Sequence, residues 1–375
     1  METTDTMTVA DSRTVAEAAA ALFLPGQSPE GSYILSVLFK RTYNMIDGNR
    51  CLRAETDFPL FAGDVHYDGP MNSSVRFESD FTPWKSGTDI VLNGKAYTPG
   101  NVPVERLTAS LSIGRYTSDI LIFGDRTCRF RTMRDPGFSE PEPFIEMDLR
   151  YERAYGGTDI YSHPTVQYTY PRNHLGRGFV IKNKRSSVDG LELPNIEDPD
   201  DILHPGNLCC EDMKFWQDQP MPRGFGWYSK YWYPRAGLAG VMPADRAVEQ
   251  ELRRIYTLAV PEVQRSLYEQ TALPSMDFRF FNGASPGLIV PFLSGDESIR
   301  LVNLSPEGTF TCRLPDEYPA LSVDIGLGVT EPEIVLHTLQ IRMEERQVDL
   351  VWRGAIPYPG PDWLPEMRKK EIFIQ

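Results

Sequence analysis

The sequence predicts an α+β fold that is predominantly β. Short antiparallel strands form a sandwich or barrel-like core, with one or two helices around 245–273 and a long irregular segment rich in Pro and aromatics. Three observations predict it. Gly and Pro number 29 and 31 in 375 residues and are spread along the chain, as expected for many short elements joined by turns. Apolar residues alternate with polar ones over short windows. Helical spacing is confined to one stretch. A hydrophobic content of 41% supports a sizeable core, either one domain over 30–356 or two subdomains broken near 136–146.

Residues 1–29 read as a flexible N-terminal segment with a short helix capped by Ser12, running through Leu22 and stopped by Pro25-Gly26. The run Tyr33–Phe39 suits a strand buried on both faces. Val65, Tyr67, Val75 and Phe77 alternate with polar residues, as half-buried strands do. Ile90–Leu92 meets Asn93-Gly94, a strong hairpin signal. Leu107–Ile113 and Ile120–Phe123 continue the strand texture. Residues 136–146 read as an extended connection, and 158–235 as irregular structure laid over the sheets and held by aromatics. Asp245 caps a helix carrying Val248, Leu252, Ile255 and Leu258, and Pro261 starts a second. Strands return with Phe278–Phe280 and Leu301-Val302, and Leu336–Met343 with Val348–Trp352 form a closing hairpin. The tail, 357–375, is Pro-rich and reads as extended.

The net charge of −14 repels phosphate backbones and argues against nucleic-acid binding. Five cysteines with no CxxC fit free thiols in a reducing compartment. The apolar run Val15–Leu24 is short and preceded by acidic residues, and no membrane-length segment occurs. The expected location is therefore cytoplasmic, with no membrane partner.

Candidate chemistry is sparse. Gly283-Ala-Ser-Pro-Gly287 has the spelling of a nucleophile elbow, but Pro286 cannot lend the N–H that an oxyanion hole needs, so it reads as a turn. Asp64, His66 and Asp68 place three potential metal ligands on one strand face, without partners from other elements. They carry the alternative reading of a metal-dependent enzyme. Asn195–Asp201 reads as a solvated acidic loop. There is no Walker loop and no G-x-G-x-x-G, and no cofactor is expected.

Two segments read as architecture or docking. In Arg150–Gly157, strand alternation puts Tyr151, Arg153 and Tyr155 on one face and Glu152 on the other, before a turn at Gly156-Gly157. Glu152 and Arg153 are expected to hold the fold, pairing with Asp125 or Arg126. Between Phe215 and Tyr233, aromatics are dense enough either to pin an irregular segment or to form a docking surface. Trp216, Trp227, Tyr231, Trp232 and Arg235 are the candidates for partner contact.

Taken in order, a series of segments resembles the domain-of-unknown-function family 2169. The series is Ser79–Lys85 with Gly87–Asp89, Gly94–Gly100, Phe123–Arg126, Phe138–Phe144, Tyr151–Gly157, Gly176–Gly178, Leu193–Pro199, Trp232–Arg235, Asp277–Ala284, Gly295–Glu297 and Leu301–Leu304. The resemblance covers roughly residues 30–320. It departs at His174, where the family has Pro after Asn, and at Gly237–Pro243. The resemblance implies a non-enzymatic adaptor, or chaperone, that loads a type VI secretion effector onto the VgrG-type spike, with a PAAR-type tip as a further candidate partner. A structural piece carried with the spike is another alternative.

Overall fold

The structure is a computed structural model that describes residues 21–28, 31–70, 72–82, 84–132, 135–163, 165–182, 188–239, 277–324, 327–363 and 373–374. The helices expected around 245–273 and most of the expected N-terminal helix lie outside these residues. Among the described residues strands dominate, and the helical elements are short 3-10 turns.

Two sheets carry the frame. Their strands are β1 (Ala21–Gln27), β2 (Tyr33–Asn44), β3 (Thr88–Asn93), β4 (Arg106–Ile113), β5 (Tyr116–Phe123), β6 (Ile196–Glu197), β7 (Ile289–Val290), β8 (Ser298–Val302), β9 (Thr309–Arg313), β10 (Ile334–Arg342) and β11 (Gln347–Pro357). The larger sheet has the order β1-β2-β11-β10-β3-β7, and the smaller runs β6-β5-β4-β8-β9 and ends on the short strand Asn49–Arg50. Pairing in the larger sheet is antiparallel except where β10 meets β3.

The two sheets share one hydrophobic cluster. Leu35, Val37 and Phe39 of β2, Leu350 and Trp352 of β11, and Leu339 and Ile341 of β10 join Ala109 and Leu111 of β4, Ile120 and Ile122 of β5, and Leu301 of β8. Alternation explains the first sets, because every second residue of a strand faces the same way. In β10 the phase would fail, since Leu336 and Leu339 both lie in the cluster. A bulge between Leu336 and Thr338 absorbs His337 and restores it.

The other face of the larger sheet is polar yet buried. Lys40 bonds Asp80 at 2.6 Å, Thr42 bonds Asp349 at 2.7 Å, and Arg342 donates to Asp349 at 2.7 Å. The segment that covers this face brings Phe58 to 3.8 Å from the Arg342 guanidinium and Phe61 to 5.3 Å from the Lys40 ammonium. Part of 158–235 forms a second cluster, in which Tyr170, Phe179, Leu193 and Leu208 meet Tyr155, while Ile196, Phe225 and Trp227 of the same stretch pack into the cluster shared by the two sheets.

Several expectations need correction. Ala21-Leu22 and Pro25-Gly26 belong to β1, which pairs along β2, so Ala21–Gln27 joins the sheet rather than ending a helix. Asn93-Gly94 makes no hairpin: β3 has β10 along one edge, and on the other β7 pairs with Thr88 and Asp89 while the Ile90 and Leu92 N–H groups donate to the Leu288 and Phe225 carbonyls. The chain turns a corner there, and Lys95–Tyr97 pairs with Glu146–Asp148 instead. Asp135–Phe138 pairs with Cys128–Thr132, so the 136–146 connection begins as a strand. Phe278–Phe281 is a 3-10 turn because the Asp277 carboxylate caps it, accepting from the Arg279 N–H at 2.9 Å. Asn195–Glu197 is buried rather than solvated, as β6 seals the edge of the smaller sheet. Phe373-Ile374 of the tail pairs with Leu321–Asp324.

Asp89, fully buried, joins four partners: Lys85 at 2.6 Å, the Asn282 amide at 3.1 Å, and the Gly283 and Ala284 N–H groups at 3.0 and 3.3 Å. Asp89→Ala strands a buried ammonium and should cost about 3–5 kcal/mol in chemical denaturation. A second test concerns pH. Burial, opposed by Arg126, pushes the Glu197 carboxyl from 4.5 up to about 7. Between those pH values the folded chain keeps a proton that the unfolded chain has released. The stability this residue contributes is complete below pH 4.5 and is lost as pH rises through 7. E197Q should flatten that part of a profile of melting temperature against pH.

Candidate functional site

A surface cleft of about 500 Å³ is lined by residues 63–64 and 66–70 on one side and by Lys230 and Tyr231 on the other. Its first wall is built by local bonds. The Ser73 hydroxyl accepts from the Asp68 and Gly69 N–H groups at 2.8 and 3.0 Å, closing the loop. His66 Nδ1 lies 2.9 Å from the Ser73 carbonyl, which can only accept, so Nδ1 donates the proton of that bond. Tyr67 lies beneath the Arg150 guanidinium, 4.1 Å from ring centre to charge.

The second wall is the turn around Tyr231. Tyr231 is 75% exposed, whereas its neighbours Tyr228 and Trp232 are both 2% exposed. The rings of Tyr151, Tyr228 and Trp232 meet edge-to-face in all three pairings, at 5.2–5.6 Å. Arg235 locks the turn from below: its Nε donates to the Phe280 carbonyl at 2.8 Å, Nη1 to the Tyr228 carbonyl at 2.7 Å, and Nη2 to Glu78. Burial holds the Glu78 carboxyl above its ordinary range despite Arg235. Gly283 lies at this crossing, where a β-carbon would come within 2.0 Å of Glu78 and 2.6 Å of Arg235.

The walls are tied together. The Lys230 ammonium sits 2.8 Å from Asp64, whose other oxygen accepts from the Ser79 N–H at 3.1 Å. Glu152 accepts from the N–H and hydroxyl of Ser74 at 2.8 and 2.7 Å, while the adjacent Tyr151 packs on Trp232.

The expected metal ligands are therefore engaged one by one. Asp64 faces Lys230, Asp68 lies 3.6 Å from Arg150, and His66 bonds the backbone. Among the described residues no group of three or more His, Cys, Asp or Glu is placed to hold a metal ion. Ser285 is fully buried.

The Arg150–Gly157 segment is not one strand. Tyr151–Arg153 forms a 3-10 turn, and Tyr155-Gly156 pairs in parallel with Arg177-Gly178. The reason is Asn173, whose amide donates to the Tyr151 and Tyr155 carbonyls at 2.8 and 3.1 Å in place of a ladder. Gly156, at φ 146°, lets the chain approach the Asn173 carbonyl, 2.1 Å from where a β-carbon would be. Arg153 lies 3.6 Å from Asp125 and bonds Asn195, while Arg126 pairs with Glu197 rather than with Glu152.

Of the residues read as partner contacts, Tyr231 lines the cleft and Trp216 is half-buried against Tyr233 and Tyr170. Trp227, Trp232 and Arg235 are 4, 2 and 2% exposed. All three are buried and hold the segment from inside, Trp232 through its ring contacts with Tyr151 and Tyr228 and Arg235 through its bonds to Phe280, Tyr228 and Glu78. Sequence reading missed Lys230 and Phe215, the latter 46% exposed. Their exposure depends on which aromatics turn inward, and composition carries no sign of that.

Residues 30–353 match the family model described as "Uncharacterized protein conserved in bacteria (DUF2169)". The chain belongs to the DUF2169 family. The match continues past the segments quoted above, through β10 and most of β11. No curated protein and no solved structure matches the chain. This DUF2169 chain carries His174 where the resemblance leads one to expect Pro, and Trp232 donates to His174 Nδ1 at 3.0 Å. Proline could not accept that bond.

Trp232→Ala should empty the space between Tyr151 and Tyr228 and cost about 3–5 kcal/mol in thermal or chemical denaturation. Tyr231→Ala, on the same turn, should change stability by about 0.5 kcal/mol or less.

Proposed function

We propose that this DUF2169 protein is a non-enzymatic adaptor that grips a type VI secretion effector and helps load it onto the VgrG-type spike, acting in the bacterial cytoplasm. The observation that carries the reading is Tyr231: a tyrosine 75% exposed, on a turn whose flanking aromatics are buried, at the lip of a cleft. Such a residue offers broad contact area and loses little freedom on binding, because its backbone is already held. Exposed, rigid tyrosines are typical binding hot spots.

The polar lining of the cleft fits the same role. Each charge there has a partner, so a docking chain meets orienting hydrogen-bond groups without having to neutralise a bare ion. The resemblance supplies the partner class, an effector and the spike.

Co-purification tests this. A tagged full-length chain, purified from the cells that make it natively, should retain an effector identified by mass. Tyr231→Ala should weaken its recovery on the order of tenfold or more, corresponding to about 1.4–2 kcal/mol, with an unchanged melting temperature. Undiminished recovery from Tyr231→Ala would remove the cleft from the interface. Absence of any effector or spike protein from the wild-type eluate would sink the adaptor reading.

A further inference from the structure

Cys51 and Cys312 stand apart from everything the proposed function uses. They are 261 positions apart in the chain, yet their Sγ atoms are 3.7 Å apart. Each is 3% exposed. Their meeting follows from the topology. Asn49-Arg50 pairs in parallel with β9 of the smaller sheet, and Leu52-Arg53 pairs with β2 of the larger one. Cys51 is the single residue between those two pairings, and its N–H donates to the Arg313 carbonyl at 2.8 Å. Cys312 belongs to β9 itself. The two thiols thus lie where one strand crosses from sheet to sheet.

We propose that Cys51 and Cys312 are a site of reversible oxidative modification, closing to a disulfide when the protein meets a hydroperoxide. The other cysteines have no comparable partner geometry: Cys210 donates to the Asp212 carbonyl, and burial raises the Cys128 and Cys209 thiols. Within the pair, the hydrogen bond from the Cys312 thiol favours the thiolate at Cys51, while the same contact and burial push the Cys312 thiol up. Cys51, beside the 58% exposed Leu52 on the crossing strand, is the attacking sulfur in this scheme.

The step balances as follows. The Cys51 sulfur attacks the peroxide, the O–O bond breaks, and one oxygen leaves as water or alcohol after taking a proton. Cys51 is then a sulfenic acid. The Cys312 sulfur displaces that oxygen, the S–S bond forms as the S–O bond breaks, and the oxygen leaves as water with the Cys312 proton. Two thiols lose two electrons and two protons, and the hydroperoxide accepts them. The product ties the two sheets covalently.

Hydrogen peroxide added to the native full-length chain, followed by alkylation and non-reducing peptide mapping, tests the site. The expected result is a Cys51–Cys312 linked peptide as the first sulfur oxidation product, loss of two of the five thiols, and full reversal by dithiothreitol. Cys312→Ser should leave a Cys51 sulfenic acid trapped by dimedone and no linked peptide. The proposal is overturned if both cysteines are recovered alkylated while others oxidise, or if the first disulfide joins any other pair. The wild-type map decides this even where a variant does not fold.

Discussion

The Asp89 carboxylate is the constraint on which the rest of the described structure depends. It sits on β3, between β10 and the short edge strand β7, with no access to water, and its two oxygens are used by Lys85, Asn282, Gly283 and Ala284. Lys85 continues the chain of bonds to Thr338 on the neighbouring strand. A buried carboxylate is tolerated only when its attraction and hydrogen bonds offset its desolvation, so all these partners are held at once or the arrangement fails together. The consequence travels outward. Gly283 accepts from the Tyr228 N–H, Ala284 bridges Trp227, and the turn that displays Tyr231 is thereby referenced to the sheet.

The segments that carry the family resemblance meet in two such places. Lys85, Asp89, Arg235, Asp277 and Gly283, far apart in sequence, lie around the first. Arg126, Arg153, Asn195 and Glu197 lie around the second, where Asn195 donates to the Phe123 carbonyl and to Asp125. Those motifs therefore describe a frame. They explain why an ordered series of charged and glycine-rich segments can mark a family, and why the frame alone does not name a partner.

Much of the β-rich architecture was legible. The Tyr33–Phe39 run, the alternation of Leu107–Ile113 and the pair Leu336–Met343 with Val348–Trp352 all report burial, which local periodicity encodes directly. What was not legible depends on partners distant in sequence. Asn93-Gly94 has the right letters for a hairpin, but the edges of β3 were already taken. Phe278–Phe281 has strand composition, but a single capping carboxylate turns it. At the cleft, sequence reading named Tyr231 together with Trp216, Trp227, Trp232 and Arg235 and gave them equal standing. Tyr231, Trp227 and Trp232 are all aromatic residues between turns, and only the packing on Tyr151 and the Arg235 fork decides which side faces in.

This division of labour within one turn bears on how a protein of this kind would bind. A surface tyrosine on a free loop must be ordered when a partner arrives, and that cost is subtracted from affinity. Here the ordering is completed during folding, by Arg235, Glu78 and the three rings that meet edge-to-face below. The buried charges make the frame more expensive to assemble than an apolar one of the same size, but they also make it specific, because a shifted register would leave an ion unpaired. On the proposed adaptor reading, a rigid frame that fixes one exposed aromatic beside the cleft presents the same geometry to another chain at each encounter.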